Sequence, residues 1–401
     1  MIPSTLARHL FSTYPEYRLD HLQPTNCVHR EIVEELRRLA DKSNDLLKIE
    51  ELGCSLEGRS INLVTCGLGS RKILLWSQMH GDESTGTLAL MDIFNLMVHR
   101  NSNEIWLEKL LAGTTLHFIP MLNPDGAERV ERRTAVEIDV NRDARSLATP
   151  EARILRNAQR CLRPIFGFNL HDQELGTVGN SKAVTAVALL APALDERKTT
   201  PRARLRAMRV AALIVRSLNQ FIEGHIAAYD DSFEPRAFGE NMLGWGTSTL
   251  LLESGHWPND RKKVFIRKLN YVAILSAVHA IGNGSYQDVD LDYYFHLKAN
   301  GKNVYDIIIR NIVMEHPKGW SHPVEIGLSL EPKHNRPVKN PGGNLARPVV
   351  TVKDIGDLSV YAGLQIVDGH GRRLASTTLA SEQVLSLEDL FDKLQLYYPT
   401  V

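Results

Sequence analysis

A histidine and a glutamate stand three positions apart in the stretch QMHGDES, as His80 and Glu83. The apolar run KILLWS precedes them, and the helix-like run TGTLALMDIF follows them. An imidazole and a carboxylate at such a junction can both bind Zn²⁺, which takes about three His, Glu or Asp ligands in catalytic sites and leaves one position for water. The stretch also fits a simple turn with solvated polar residues, so a metal site requires a third ligand elsewhere.

A third ligand can come from one of two other strand ends. The run FNLHDQ places His171 at the end of an apolar segment, and LLLESG places Glu253 in the same kind of position. The carboxyl ends of strands in an open α/β sheet line the crevice where ligands bind, so all four side chains can converge. Taken singly, a strand-end histidine is often a structural residue, and a strand-end glutamate is usually an ion-pair partner or a helix cap.

Six more candidates stand in short motifs: Arg59 in EGR, Arg132 and Arg133 after the turn NPDG, and Asp139, Asn141 and Arg142 in DVNR. Taken alone, NPDG indicates only a loop, and Arg59 indicates only a surface charge.

The elements that must position these residues alternate between strand and helix. Five short apolar or β-branched runs predict buried strands: INLVTCG, KILLWSQ, TTLHFIPML, IFGFNLHD and TSTLLLESG. Three longer runs have helical spacing: REIVEELRRLADKSNDLLKI, STGTLALMDIFNLMVHR and PRARLRAMRVAALIVRSLNQFIEG. In the second of these, Leu90, Phe94, Met97 and Val98 form one apolar stripe. Residues 1–285 are therefore predicted to form one α/β domain with a mixed, mostly parallel sheet.

The sequence pattern changes after about residue 285. The runs NVYDIIIRNIV, HPVEIGLSL, PVVTVKD and LSVYAGLQIVDG predict strands, KNPGGN and DGHG predict turns, and LEDLFDKLQL predicts a last helix. Residues 290–401 are therefore predicted to form a small β-rich domain of unknown role that carries none of the candidate site residues.

Charge balance, cysteine spacing and apolar runs limit the classes of protein to which this chain can belong. The chain has 47 basic and 47 acidic residues among 401, so neither nucleic acid nor an anionic membrane is an expected partner. The four cysteines lack CxxC spacing, which argues against a disulfide framework or a thiolate zinc site. The N-terminal segment lacks the apolar run of a signal peptide, and no apolar run approaches the roughly 20 residues of a membrane helix. We therefore expect a soluble, cytoplasmic protein.

The order of these motifs along the chain resembles the zinc carboxypeptidases of the carboxypeptidase A type. The shared series is EGR, HxxE, NPDG, an arginine, DxNR, a strand-end histidine and a late strand-end glutamate, and it covers about residues 25–260. The resemblance implies a sheet with helices on both faces and one Zn²⁺ per chain. It also implies hydrolysis of the C-terminal amide bond of a peptide, or peptide-like substrate, that has a free carboxylate.

The resemblance implies catalytic roles as well. Three residues match the family's zinc ligands: His80, Glu83 and His171. Glu253 matches the glutamate that takes a proton from water and delivers it to the leaving amine. Arg132 matches the arginine that stabilises the oxyanion, and the adjacent Arg133 is the alternative candidate for this role.

Four further residues match substrate-binding or supporting positions of the family. Asn141 and Arg142 match the pair that binds the terminal carboxylate, Asp139 matches the carboxylate that orients the first zinc histidine, and Arg59 matches a residue of the substrate groove. The sequence departs from the family at Asp143, directly after Arg142, where family members often have an asparagine.

Alternatives stay open at this stage. A deacylase of the aspartoacylase kind shares HxxE and a later histidine, although NPDG and the groove arginine speak against it. A zinc-binding scaffold without activity is a third possibility, against which Glu253 and the Asn141 and Arg142 pair speak. Tyr229 is a candidate for the family's mobile tyrosine. Ordinary peptides, γ-linked glutamyl chains and cell-wall peptide fragments all fit as substrates.

Overall fold

The structure, a computed structural model, describes residues 3–101, 104–331, 349–379 and 383–394. Its helices are α1 (Pro3–Tyr17), α2 (His29–Lys42), α3 (Thr85–His99), α4 (Ile105–Gly113), α5 (Pro124–Arg129), α6 (Pro150–Leu162), α7 (Arg202–Ile222), α8 (Phe238–Gly244), α9 (Val264–Asn283), α10 (Asp292–Phe295) and α11 (Leu387–Lys393). The first strands are β1 (Lys48–Cys54), β2 (Ser60–Cys66), β3 (Arg71–Ser77), β4 (Thr114–Ile119), β5 (Phe166–Asp172), β6 (Thr177–Val178), β7 (Val187–Leu190), β8 (Ile226–Ala228) and β9 (Ser248–Ser254). The later strands are β10 (Asn300–Gly301), β11 (Val304–Glu315), β12 (Ser321–Glu331), β13 (Val349–Gly356), β14 (Ala362–Ala375) and β15 (Val384–Ser386).

The main sheet has eight strands in the order β1-β2-β4-β3-β5-β9-β7-β8. The central strands β4, β3, β5 and β9 are parallel, whereas β1, β2 and β7 are antiparallel to their neighbours toward the centre. Because β3, β5 and β9 run side by side in one direction, their carboxyl ends meet at one edge. The predicted mixed, mostly parallel sheet is confirmed.

Helices cover both faces of this sheet, as predicted. On one face, buried side chains of α1, α3, α7 and α9 form a large apolar cluster that includes Phe94 and Tyr271. On the other face, α6 and α8 contribute Leu155 and Phe238 to a smaller cluster around Trp76. The site-bearing strands are therefore buried between two layers, which fixes their carboxyl ends.

Helix α9 departs from the sequence expectation about apolar runs. It is 20 residues long and apolar enough to cross a membrane by length and composition, yet 83% of its apolar window is buried inside the protein. Its residues belong to the cluster shared with α1, α3 and α7. A helix that is apolar all round is expected in the core of a large domain, so α9 is a core helix.

Two local differences from the expected elements have simple causes. The helix predicted over residues 30–49 ends at Lys42, because Asn44 and Asp45 adopt left-handed backbone angles that stop it before β1. The predicted DGHG turn is a bulge inside β14, where His370 and Gly371 have positive φ. The predicted KNPGGN turn lies outside the described residues.

A second sheet has five strands in the order β14-β11-β12-β13-β15, and α11 covers it through Leu387, Leu390 and Phe391. Helix α10 and strand β10, which precede this second sheet in sequence, contact the α/β part of the chain instead. Strand β10 pairs with β6, and the Tyr294 hydroxyl accepts a hydrogen bond from the Ala191 amide. The division into two domains stays a prediction, and these contacts favour a boundary nearer residue 303 than residue 290.

Candidate active site

The loop after β3 is held by its own backbone and side-chain hydrogen bonds. Gln78 has a φ of 49°, and its amide group donates to the Gly81 carbonyl and accepts from the Thr87 hydroxyl. Gly81 lies against the NPDG turn so closely that a Cβ on it would be 2.0 Å from the Gly126 carbonyl carbon. Such a contact excludes every other residue at Gly81, and the two motifs are therefore fitted to each other.

Three buried side chains converge above the carboxyl ends of β3 and β5. The Nδ1 atom of His80 lies 2.7 Å from one carboxylate oxygen of Glu83, and the Nδ1 atom of His171 lies 2.7 Å from the other. The two Nδ1 atoms are 3.2 Å apart. Among the described residues, these three form a group that could hold a metal ion.

The chemistry of this group fits Zn²⁺. Two imidazole nitrogens and a carboxylate oxygen are ligands that zinc prefers in catalytic sites. Tetrahedral ligands at about 2.0–2.1 Å from an ion are separated by about 3.3 Å, which is close to the observed 2.7–3.2 Å separations. The charges agree as well, since His80 and His171 hold the pKa of the buried Glu83 carboxyl well below its usual range against the effect of burial.

Asp139 fixes the orientation of His80. It precedes a 3-10 turn formed by Val140–Arg142, and one of its oxygens lies 3.1 Å from Nε2 of His80 while accepting from the Asn141 amide. A proton on Nε2 leaves Nδ1 available as a ligand atom. Burial lowers the pKa of His80, but Glu83 and Asp139 outweigh it and raise the pKa to about 9.

Arg132, rather than Arg133, reaches the site. Its Nη1 atom lies 3.2 Å from a Glu83 oxygen and 3.1 Å from Nδ1 of His80, and its Nε donates to Asp139. Arg133 is exposed and donates to the Glu137 carbonyl. The guanidinium of Arg132 can therefore contact a substrate oxygen next to the ligand group.

Glu253 stands beside His171 on the neighbouring parallel strand, where the two residues are paired in register. The side chain is buried, and within the described part of the chain its Oε2 atom has no hydrogen-bond partner. Burial, and next to it the charge of Glu83, raises the pKa of Glu253 well above its usual range. A carboxylate with unused acceptor capacity and a raised pKa is suited to accept a proton.

Asn141 and Arg142 follow Asp139 in the 3-10 turn. The Asn141 side chain accepts from the Phe238 amide, and Nε of Arg142 is 3.3 Å from a carboxylate oxygen of Glu234. Asp143, the departure noted in the sequence, turns away and accepts from the backbone at the start of α6. Glu234, not Asp143, is therefore the acidic neighbour of Arg142.

Arg59 does not join the ligand group directly. Its Nη1 atom donates to Asp125 of the NPDG turn at 2.7 Å and to Glu57 at 2.6 Å. The structure thus links five residues in one network of contacts: His80, Glu83, His171, Asp139 and Arg132. Glu253 lies beside this network, whereas Arg59, Asn141 and Arg142 have other partners.

Sequence reasoning missed several residues around the site. The backbone amide of Asp172 donates to Glu83, and its carboxylate accepts from Thr85 and Lys263, a support that no local motif signals. Glu234 lies in a loop without a recognisable pattern. Tyr229 was only a candidate, and the structure places it near the site, because the charge of Glu253, followed by burial, raises the pKa of its hydroxyl.

Comparison with known proteins adds to this geometry. The family model described as zinc carboxypeptidase matches residues 32–172, a span that ends one residue after His171 and does not include Glu253. Carboxypeptidase 2 of Trichophyton rubrum is 28% identical over 152 residues, which are 35% of this chain and 28% of that protein. Carboxypeptidase D of Drosophila melanogaster is 27% identical over 182 residues, which are 38% of this chain and 13% of that protein. The matched part therefore spans less than a third of either relative.

Solved structures show the same fold. Carboxypeptidase A from Helicoverpa armigera matches with a TM-score of 0.51 at 15% identity, over 64% of this chain and 73% of that one. A metallo-carboxypeptidase from Burkholderia cenocepacia matches with a TM-score of 0.50 at 16% identity, over 63% and 68% of the two chains. At such low identity the likeness concerns the fold alone.

Proposed function

We propose that this chain is a metallocarboxypeptidase that removes the C-terminal residue of a peptide or peptide-like substrate, because its residues 32–172 match the family model described as zinc carboxypeptidase. The observation that carries the proposal is the convergence of His80, Glu83 and His171 beside the buried carboxylate of Glu253, whose Oε2 atom has no hydrogen-bond partner among the described residues. A scaffold that only bound zinc would have no need for that fourth residue.

His80, Glu83 and His171 would hold the zinc ion, with Asp139 orienting His80. When bound there, zinc would act as a Lewis acid that activates water and polarises the substrate carbonyl.

The remaining steps belong to two side chains. Glu253 takes one proton from the attacking water, whose oxygen bonds to the carbonyl carbon, and then delivers that proton to the leaving nitrogen as the C–N bond breaks. Its raised pKa lets it hold the proton between the two steps. Arg132 donates hydrogen bonds to the carbonyl oxygen as negative charge develops on it.

Asn141 and Arg142 would select substrates with a free C-terminal carboxylate. A guanidinium binds a carboxylate through parallel, charge-assisted hydrogen bonds. Arg142 has room to do so, since its side chain is 39% exposed and its nearest acidic neighbour, Glu234, lies at a long ion-pair distance of 3.3 Å. This binding of the terminal carboxylate would make the hydrolase an exopeptidase.

Replacing Arg142 with alanine should chiefly damage recognition of the free carboxylate. Hydrogen bonds to charged groups contribute about 1.5–3 kcal/mol, so kcat/KM for a peptide with a free C-terminus should fall by roughly 10- to 150-fold, mostly through KM. Steady-state kinetics on one peptide sequence, with a free and with an amidated C-terminus, measures this effect.

Arg133→Ala provides the matched control, because it removes the same charge from an exposed arginine that does not reach the site. It should leave kcat/KM within about twofold of wild type. If the wild-type protein cleaves the amidated peptide as well as the free one, the role proposed for Arg142 is wrong.

A further inference from the structure

A cavity lies at the edge of the main sheet where β5 and β9 begin, opposite the edge that carries the candidate active site. It has a volume of about 540 Å³, and its lining includes Arg156, Arg160, Arg163, Arg206 and Trp245. These residues come from the last turns of α6, the turn that follows it, α7 and the loop before β9. Strands β5 and β9 start beside this cavity at Phe166 and Ser248. They reach His171 and Glu253 five residues later, which corresponds to about 16 Å of strand.

The charge in this cavity is unbalanced. Within the described part of the chain, none of its four arginines forms an ion pair with an acidic side chain. Helix α7 contains no acidic residue, and α6 contains only Glu151, at its far end. A chain with equal numbers of acidic and basic residues thus gathers four guanidinium groups around one concave surface.

Two of the guanidinium groups are held in place by uncharged partners. Arg156 stacks over the Trp245 ring, 3.8 Å from its centroid, and Arg206 donates from Nε to the Ser248 hydroxyl at 2.9 Å. These contacts orient each arginine without neutralising it. Burial, followed by the charge of Arg160, lowers the pKa of Arg156, which indicates that the positive groups repel one another.

We propose that this cavity binds a phosphate-bearing ligand through Arg156, Arg160, Arg163 and Arg206. Guanidinium groups match the oxygens of phosphate in bidentate geometry, and an anion among them would relieve their mutual repulsion. The volume is that of a small-molecule site, and the concave shape favours a compact phosphate ester or diphosphate over an extended nucleic acid. The site is separate from the proposed peptidase site and does not depend on it.

Isothermal titration of the full chain with pyrophosphate, at constant ionic strength maintained with sodium chloride, tests the proposal. Constant salt is needed because nonspecific attraction between charges is screened. We expect saturable binding of pyrophosphate by the wild type. For the double variant Arg160→Gln/Arg163→Gln, the dissociation constant should be at least about tenfold larger, because charge-assisted hydrogen bonds are lost. Both side chains are exposed, so the variant should fold normally.

The control is the double variant Arg8→Gln/Arg37→Gln, which removes two exposed arginines outside the cavity. It should bind pyrophosphate as the wild type does. A parallel sedimentation assay uses phosphatidylcholine vesicles with and without phosphatidic acid. If the wild type binds vesicles only when they contain phosphatidic acid, and the cavity variant Arg160→Gln/Arg163→Gln does not bind them, the result would support the proposal and identify a lipid headgroup as the ligand. No binding to either probe, or equal weakening by the cavity and control variants, would overturn it.

Discussion

Replacing Glu253 with glutamine should lower kcat by roughly 10²- to 10⁴-fold, the contribution of a positioned acid-base group, while about one zinc per chain remains bound. Glutamine has nearly the same volume and reach but cannot accept the proton of the attacking water. KM should change little, since substrate binding is assigned to Asn141 and Arg142. Initial rates of peptide hydrolysis give kcat and KM, and elemental analysis gives the zinc content of the variant.

The fold should tolerate this substitution. The Glu253 carboxylate is buried and its Oε2 atom has no hydrogen-bond partner among the described residues, so removing its charge relieves a desolvation cost. We expect a melting temperature no lower than that of the wild type. Loss of zinc from the variant would make Glu253 a ligand or a structural residue, and near-normal kcat would make it a bystander.

Glu151→Gln is the matched control for Glu253→Gln. Glu151 is also fully buried, its two carboxylate oxygens lack partners in the described structure, and burial raises its pKa to about 7. It belongs to the first turn of α6 and is not one of the three candidate metal ligands. The control should keep kcat within about twofold of wild type, which separates the loss of a base from the general effect of changing a buried glutamate.

The second large effect is expected for His171→Ala. This change removes one of three protein ligands, and bound zinc should fall from about one per chain to well below that value, with loss of turnover. Dialysis against a zinc buffer followed by elemental analysis measures the metal content. Circular dichroism shows whether the variant is folded, so that metal loss is not confused with unfolding.

His117→Ala controls for the loss of a buried histidine from the same sheet. His117 lies in β4, its Nδ1 pairs with the Thr65 hydroxyl, and burial lowers its pKa to about 4. The variant should keep about one zinc per chain, as expected of a residue that is not a ligand. A His171→Ala protein that binds zinc as tightly as wild type would show that the ligand set is different.

The strands and the convergence of the candidate metal ligands were predictable because each has a strong local signal. His80, His171 and Glu253 all follow or end apolar runs, and the rule that carboxyl ends of neighbouring parallel strands share an edge brings distant residues together. The choice between Arg132 and Arg133 needed coordinates, since adjacent residues in a turn point in different directions.

Other features depend on contacts between segments without a local pattern. The pairing of Arg142 with Glu234 joins two segments 92 positions apart in the sequence. The cavity lined by four arginines could not be predicted from composition, because acidic and basic residues are equal in number over the whole chain. The sequence analysis found no apolar run of membrane-spanning length, whereas helix α9 has that length and composition and is buried in the core. Such features are set by tertiary packing, which a single sequence does not display.

Digestion of a mixed peptide library by the zinc-loaded wild-type protein, read by mass spectrometry, tests the central claim most directly. The account predicts stepwise loss of single residues from free C-termini, no loss from amidated copies of the same peptides, and no cleavage after zinc is removed with a chelator. Internal cleavage, equal cleavage of amidated peptides, or full activity without metal would contradict it.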